Sequence, residues 1–229
     1  MKLSIIIPVY NEKKTMQQIL ERVSAVNLEG IEKEIIVIDD ASTDGTSEIL
    51  KANKINDVSV YTHSKNKGKG AAVKTGFKHV SGDLIIIQDA DLEYDPKDYA
   101  PMINALAMQN MDVIYGSRFT NTNSNWVFPV HYLGNRFLSL LTSFLYHSKI
   151  TDMETCYKLF KKEVIKNIEI KSNRFDFEPE ITAKILKNGY SICEVPITYV
   201  SRNYKSGKKI TIADGFIAAW TLIKYKFKD

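Results

Sequence analysis

Short runs of consecutive apolar, mostly β-branched residues constrain this chain most. They are Ile5-Ile6-Ile7 within Lys2 to Val9, Glu34 to Ile38 (EIIVI), Leu84 to Ile87 (LIII) and Asp112 to Tyr115 (DVIY). Runs this short cannot make a helix with one buried face; they suit strands buried on both sides. Val58 to His63 reads as a further strand. Between them lie helical patterns: Glu12 to Val26, where Met16, Ile19, Leu20 and Val23 recur at helical spacing, a short helix to about Ala52, Gly70 to Val80, and Pro96 to Gln109. Strands and helices alternating at this spacing predict an α/β fold with right-handed crossovers and a mostly parallel sheet covered on both faces. The 229 residues suffice for one such domain.

Past Gly116 the alternation stops. Trp126 to Tyr146 carries a helical stripe of Leu133, Phe137, Leu140, Leu141, Phe144 and Leu145. Tyr157 to Phe160 reads as a strand, Glu178 to Lys187 as a helix, and Ser191 to Val200 as a strand that Pro196 places near an edge. Thr211 to Phe227 is the last helix, with Ile212, Phe216, Trp220, Ile223 and Phe227 on one side. These two stripes have two readings, packing against the sheet or lying in a membrane interface.

The chemistry gathers behind the strands. Tyr10-Asn11-Glu12, Asp39-Asp40, Asn66 to Gly70 and Asp89 to Glu93 each follow a strand end, and in an open α/β sheet those ends border the ligand crevice. Asp89, Asp91 and Glu93 sit at alternate positions after Leu84 to Ile87, so a chain continuing extended would point their carboxylates to one spot. Hard oxygen donors there favour Mg²⁺ or Mn²⁺. The competing reading is a polar strand end capping the helix at Pro96, a role Asp95 already fills. An EF-hand fits poorly, because its loop glycine and distal glutamate are missing.

Asn66-Lys67-Gly68-Lys69-Gly70 resembles a phosphate-binding glycine loop before a helix N-terminus; a flexible lysine-rich loop is the equal alternative. Val73 stands where a dinucleotide fingerprint needs its third glycine, and the lysine-serine/threonine pair of a P-loop is absent. The net charge of +4 gives no global field for nucleic acid, but Arg202 to Lys209 and Lys224 to Lys228 are locally basic. Cys156 and Cys193 lie in no metal or redox motif and read as reduced packing residues. The N-terminus runs straight into a strand without a signal-peptide pattern, and the quiet stretch Asn121 to Ser148 is too polar to span a bilayer.

The motifs in order settle more. Pro8-Val9-Tyr10-Asn11-Glu12, Ile38-Asp39-Asp40-Ala41-Ser42-Thr43-Asp44-Gly45-Thr46, Asn66 to Ala72, Asp89-Ala90-Asp91, Tyr115 to Phe119, Glu194 to Ile197 and Arg202 to Gly215 together resemble glycosyltransferase family 2. The likeness is to its GT-A nucleotide-diphospho-sugar fold and to the branch containing dolichyl-phosphate mannose synthases and polyprenyl-phosphate sugar transferases. It covers nearly the whole chain as one domain, with residues 1–119 as the nucleotide-sugar and metal half and residues 120–229 as the acceptor half.

The resemblance implies that Pro8, Tyr10 and Glu12 line the nucleotide pocket, with Asp40 near the base or ribose and Gly68, Lys69 and Asp89 on the donor side. It implies that Asp89, Asp91 and Glu93 hold the divalent ion, although mannose synthases often carry glutamine at the last position. Asp152 to Lys158 resembles a recurring segment of the branch, which implies a sugar contact for Asp152, and Arg174 to Glu178 resembles the segment bordering the acceptor pocket unless Asp176 or Glu178 caps the helix that follows. A lipid phosphate acceptor is already an anion, so no catalytic base is needed. Arg118, Arg136, Arg202 and Lys209 are the candidates for the acceptor phosphate, arginine being suited to bidentate contacts. Asp91, Arg118 and Arg202 are then the catalytic set.

The expected reaction is inverting transfer of a hexose, GDP-mannose favoured, to dolichyl or undecaprenyl phosphate. The alternatives are a UDP-hexose transferase acting on a polyprenyl phosphate or carbohydrate, and a non-catalytic nucleotide-sugar binding module. The expected location is the cytoplasmic face of a membrane, held peripherally or by an anchoring partner protein, with no role for nucleic acid.

Overall fold

The structure is a computed structural model that describes residues 1–120, 129–201 and 212–228. Its strands are β1 (Lys2–Val9), β2 (Glu32–Asp39), β3 (Val58–Thr62), β4 (Leu84–Ile87), β5 (Val113–Ser117), β6 (Lys158–Lys161) and β7 (Ile192–Pro196). They form one sheet in the order β3-β2-β1-β4-β6-β5-β7. β1 runs parallel to β2 and β4, β2 to β3, and β5 to β7. β6 is the exception, antiparallel to both β4 and β5. In β1 the consecutive Ile5, Ile6 and Ile7 are fully buried, as are Ile85, Ile86 and Ile87 in β4. Neighbouring residues of a strand point to opposite faces, so both faces of the sheet centre are covered. Pro196 does end an edge strand, where its missing N–H costs no ladder bond.

The helices are α1 (Met16–Ala25), α2 (Thr46–Ala52), α3 (Lys69–Phe77), α4 (Tyr99–Met108), α5 (Pro129–Tyr146), α6 (Lys162–Lys166), α7 (Phe177–Lys187) and α8 (Ile212–Phe227). α1 buries Met16, Ile19, Leu20 and Val23, the stripe its periodicity predicts. It starts at Met16 and not at Glu12, because the residues before it are held by the loop after β2. The Glu12 N–H donates to Thr46 Oγ1 at 3.0 Å and the Lys13 N–H to Asp44 Oδ2 at 3.0 Å. Before α4, Pro96–Asp98 forms a 3-10 turn, and the Asp95 carboxylate accepts the Lys97 N–H at 3.0 Å. That is the capping role the sequence gives it.

Helices α5, α7 and α8 pack on one another around a second core of Leu138, Ile150, Met153, Ala183, Ala218, Leu222 and Tyr225. The outer stripes of α5 and α8 stay in solvent: Phe137 is 59% exposed, Phe144 78%, Phe216 77% and Trp220 65%. Of the two readings open for these stripes, packing against the sheet does not describe these four residues.

At the amino ends of the central strands, Glu34 on β2 gathers donors from two segments. Its carboxylate accepts from the Ser4 hydroxyl of β1 and from the N–H (2.6 Å) and hydroxyl (2.6 Å) of Ser81 before β4, and it pairs with Lys2 Nζ at 2.7 Å. Burial alone would raise this carboxyl, but the bonds from Lys2, Ser4 and Ser81 outweigh it and hold the pKa at about 2. A depressed carboxylate adds stability above its unfolded pKa and loses it as pH falls through the folded value. Glu34→Gln should therefore unfold more easily at pH 7, by about 2 kcal/mol. Urea melts should show the gap to wild type closing between pH 4.5 and pH 2.

Candidate active site

In the order β3-β2-β1-β4, connections turn in opposite directions from β1, and a crevice opens beyond the carboxyl ends of β1 and β4. A cavity of about 600 Å³ lies there. Of the sequence-derived candidates, Pro8, Tyr10, Glu12, Asp40, Gly68, Lys69, Asp89, Asp91, Glu93 and Arg118 all line it. Asn11, Ala41 and Leu92, in the loops after β1, β2 and β4, have φ of 54°, 61° and 65°. Left-handed backbone at non-glycine residues is uncommon, and here it recurs on three loops bordering one cavity.

Those loops are tied to one another. The Asn11 N–H donates to Ser42 Oγ at 2.9 Å, while Asn11 Oδ1 accepts the Thr43 N–H at 2.8 Å. Asp39 is fully buried and accepts the Ser42 N–H at 3.0 Å. Asp40, at the cavity, accepts the N–H groups of Lys67 (2.9 Å) and Gly68 (2.7 Å), and its Oδ1 lies 2.6 Å from His63 Nδ1. His63, which reaches Thr75 Oγ1 with its other nitrogen at 2.8 Å, was not singled out by sequence. Its only signal there is its place at the end of a strand.

The glycine loop departs from the phosphate-cradle reading. The Gly68 N–H goes to Asp40 and the Ala71 N–H to the Asn173 carbonyl at 2.9 Å. Its glycines serve close approach instead. Gly68 has φ +98°, and a Cβ there would stand 2.4 Å from the Asn173 carbonyl oxygen; one at Gly70 would stand 2.9 Å from that of Ser172. Lys69 then points its ammonium between two carboxylates, 2.9 Å from Asp89 Oδ1 and 3.0 Å from Glu178 Oε1. Burial works against its charge, yet Asp89 and Glu178 keep its pKa well above the ordinary lysine value. Glu178 also takes the ammonium of the fully buried Lys158, which donates further to the Met153 and Thr155 carbonyls. Glu178 is thus a shared counter-ion and not a helix cap, and Asp176 makes no side-chain cap bond either. Arg174, Phe175 and Glu178 do reach the cavity wall.

The acidic triplet does not converge as an extended chain would make it. β4 ends at Ile87 and the backbone turns, so alternate positions no longer share a face. Asp89 faces Lys69, Asp91 Oδ1 accepts the Glu93 N–H at 3.1 Å, and Glu93 Oε2 accepts the Tyr199 hydroxyl at 3.0 Å. Among the described residues no three His, Cys, Asp or Glu side chains gather as a metal site. Asp89 and Asp91 both remain on the cavity wall as hard oxygen donors. Two carboxylates completed by ligand phosphates are a usual Mg²⁺ arrangement, so this pair fits a nucleotide-borne ion.

The arginines separate. Arg118 grips Asp152 with two parallel bonds of 2.7 Å, and its backbone N–H adds a third of 2.9 Å. Its guanidinium lies 5.1 Å from the centre of the Tyr199 ring. Asp152 is fully buried and off the cavity wall, so it supports Arg118 and does not contact a sugar there. Arg136 is also off the wall, standing over the Phe119 ring at 5.3 Å. On α5 the cavity takes His131, Gly134, Asn135, Phe137 and Leu138, a helical stripe from which position 136 is rotated away. Arg202 and Lys209 lie outside the described residues. Replacing Arg118 by Met would leave Asp152 buried without its cation, which costs about 3 kcal/mol. Denaturant unfolding of Arg118→Met should show that loss, and wild-type stability would contradict the pairing.

Comparison with known proteins agrees with this geometry. Residues 4–169 match the family described as Glycosyl transferase family 2. The dolichol-phosphate mannosyltransferase of Pyrococcus furiosus is 33% identical over 208 residues, spanning 87% of this chain and 56% of that relative. The UDP-N-acetylglucosamine–dolichyl-phosphate N-acetylglucosaminyltransferase of Methanococcus voltae is 28% identical over 242 residues, spanning 97% and 95%. Among solved structures, glucosyl-3-phosphoglycerate synthase from Mycobacterium tuberculosis in complex with UDP superposes with a TM-score of 0.75 at 16% identity, covering 100% of this chain and 81% of that one. The sheet order, the crevice at its switch point and the match over most of the chain lead to one conclusion: this chain belongs to glycosyl transferase family 2 and is a glycosyltransferase of the GT-A fold.

Proposed function

We propose that this enzyme transfers a hexose from a nucleoside-diphosphate sugar to a polyprenyl phosphate with inversion at the anomeric carbon. The observation that carries the reading is the two-sided character of the cavity. One side is the carboxylate-rich end of β1, β2 and β4, with Lys69 embedded in it; the other is formed by α5 and α8 through Gly134, Phe137, Leu138, Phe216, Ala218 and Ala219. A sugar nucleotide suits the first wall and an isoprenoid chain the second. Residues 1–119 thus supply the donor wall and residues 120–229 most of the acceptor wall.

In the displacement, an oxygen of the lipid phosphate bonds to the anomeric carbon as the bond from that carbon to the diphosphate breaks. The nucleoside diphosphate leaves with the electron pair. The acceptor is anionic, so no side chain must remove its proton. The protein must hold two phosphate groups together against their repulsion and steady the charge that grows on the leaving group. Asp89 and Asp91 are suited to hold a divalent ion on the diphosphate, which supplies that charge stabilisation. Lys69, fixed between Asp89 and Glu178, adds a buried positive charge on the same wall. Arg174 on the cavity wall joins Arg202 and Lys209 as candidates for the acceptor phosphate.

GDP-mannose with dolichyl or undecaprenyl phosphate is the favoured pair, in keeping with the Pyrococcus relative. A UDP-hexose is the second reading, favoured by the Methanococcus relative and by the UDP held in the structural neighbour. Release of GDP or UDP from a panel of sugar nucleotides, with Mg²⁺ or Mn²⁺ and a short polyprenyl phosphate, tests both. Lipid should stimulate release from one donor, and Asp91→Asn should lower that rate at least a hundredfold with the fold intact. Donor binding without lipid-stimulated release would leave a different acceptor or a module that does not turn over.

The exposed stripes lead to a proposal about location. Leu133, Phe137, Leu140 and Phe144 on α5 and Phe216, Trp220 and Phe227 on α8 are all exposed on two helices that pack on each other, with Lys224 and Lys228 at the end of α8 also exposed. Aromatic side chains rimmed by lysine suit the interface of an anionic leaflet, where the lipid acceptor resides. This reading has the enzyme lying on the cytoplasmic face, alone or beside an anchoring protein; no described helix is long and apolar enough to cross a membrane. Replacing Phe144 and Trp220 together by Ser should lower flotation with phosphatidylglycerol liposomes roughly tenfold. Equal flotation would move the membrane contact elsewhere.

A further inference from the structure

Glu154 stands on the cavity wall, half-buried, in the segment between α5 and β6. Its Oε1 is shut off from solvent and meets no hydrogen-bond partner among the described residues. Buried polar atoms are nearly always paired, so such an exception calls for a reason. Among the described residues, the two cations whose charge acts on it, Arg118 and Lys158, are committed elsewhere. Arg118 holds Asp152 with both arms of its fork, and Lys158 is taken up by Glu178 and the carbonyls of Met153 and Thr155.

Nor can the segment swing away to find a partner. The Thr151 and Asp152 N–H groups are both fixed by Glu194 at 2.8 Å, the Met153 N–H by Ser139 Oγ at 3.0 Å, and the Cys156 N–H by the Tyr94 hydroxyl at 3.1 Å. The backbone that carries Glu154 is therefore held in place, and the residue lines the cavity with hydrogen-bonding capacity unfilled among the described residues.

We propose that Glu154 recognises a hydroxyl group of the transferred hexose; this rests on the nucleotide-sugar reading above and adds a residue to it. Among the parts of the two substrates, a phosphate is repelled by the group whenever it is ionised, so it suits only one of the two protonation states, and an isoprenoid chain offers it nothing. A sugar hydroxyl both donates and accepts, and fills the vacant capacity in either protonation state. Burial, and then the neighbouring charge of Glu178, raises the Glu154 carboxyl to about 7. Near neutrality it is thus often a neutral group that donates as well as accepts.

Titration calorimetry of the intact chain with Mg²⁺ separates the sugar's contribution from that of the nucleotide. The probes are UDP against UDP-glucose and GDP against GDP-mannose, for wild type, Glu154→Ala and Glu154→Gln. In the pair that wild type prefers, Glu154→Ala should weaken the sugar nucleotide by about tenfold and leave the free diphosphate unchanged. Glu154→Gln keeps a donor and an acceptor in the same shape and should stay within about threefold of wild type. Thermal melts should place both variants at or above wild type, since each removes an unpaired buried carboxyl. Equal loss for diphosphate and sugar nucleotide, or no loss in Glu154→Ala, overturns the assignment. Wild type that binds neither diphosphate overturns instead the reading on which it rests.

Discussion

Glu178 sits between two lysine ammonium groups, and much of the site depends on that arrangement. Lys69 comes from the start of α3, Lys158 from β6, and Glu178 from the first turn of α7. Through Lys69 the same group reaches Asp89 behind β4. Four segments distant in sequence are thereby locked by charges that are costly to bury singly and tolerable only together. On the proposed reading a diphosphate and a lipid phosphate meet at this wall, and a preorganised wall need not rearrange when charge shifts between them.

The glycine loop shows how easily a motif is read for the wrong reason. Gly68 and Gly70 look like a cradle for phosphate, yet their missing side chains admit the backbone of residues 172–174. That contact brings the start of α7, and with it Glu178, against the start of α3. The loop contributes to the site by positioning Lys69, whereas its Gly68 and Ala71 N–H groups are already bonded within the protein. The arginines follow a related rule. Arg118 is on the wall as its motif implies, but its fork is closed on Asp152, so its contribution to the wall includes holding the β5 end and the 151–156 segment together.

The apolar stripes of α5 and α8 carry the same lesson in packing. Periodicity makes both segments amphipathic, but it does not say which way an amphipathic helix faces. Here small and medium residues such as Ala218, Leu222 and Leu138 fill the contact between helices. The larger aromatics Phe144, Phe216 and Trp220 are left outside. A buried stripe and a membrane-facing stripe look alike in one dimension.

What the sequence determined by itself was local. Continuous Ile and Val runs define β1, β2 and β4, helical spacing defines α1, Asp95-Pro96 marks the turn before α4, and the order of polar segments after strands identifies the residues around the cavity. Each of these follows from side-chain period or from turn chemistry among near neighbours. The tertiary structure decided what depends on residues far apart. It inserted β6 antiparallel between β4 and β5, split the acidic triplet among Lys69, a backbone N–H and Tyr199, turned Arg136 toward Phe119, and left Glu154 Oε1 without a hydrogen-bond partner among the described residues. Charge pairing and close packing act through space, and spacing along the chain holds no record of which distant group arrives to meet a buried charge.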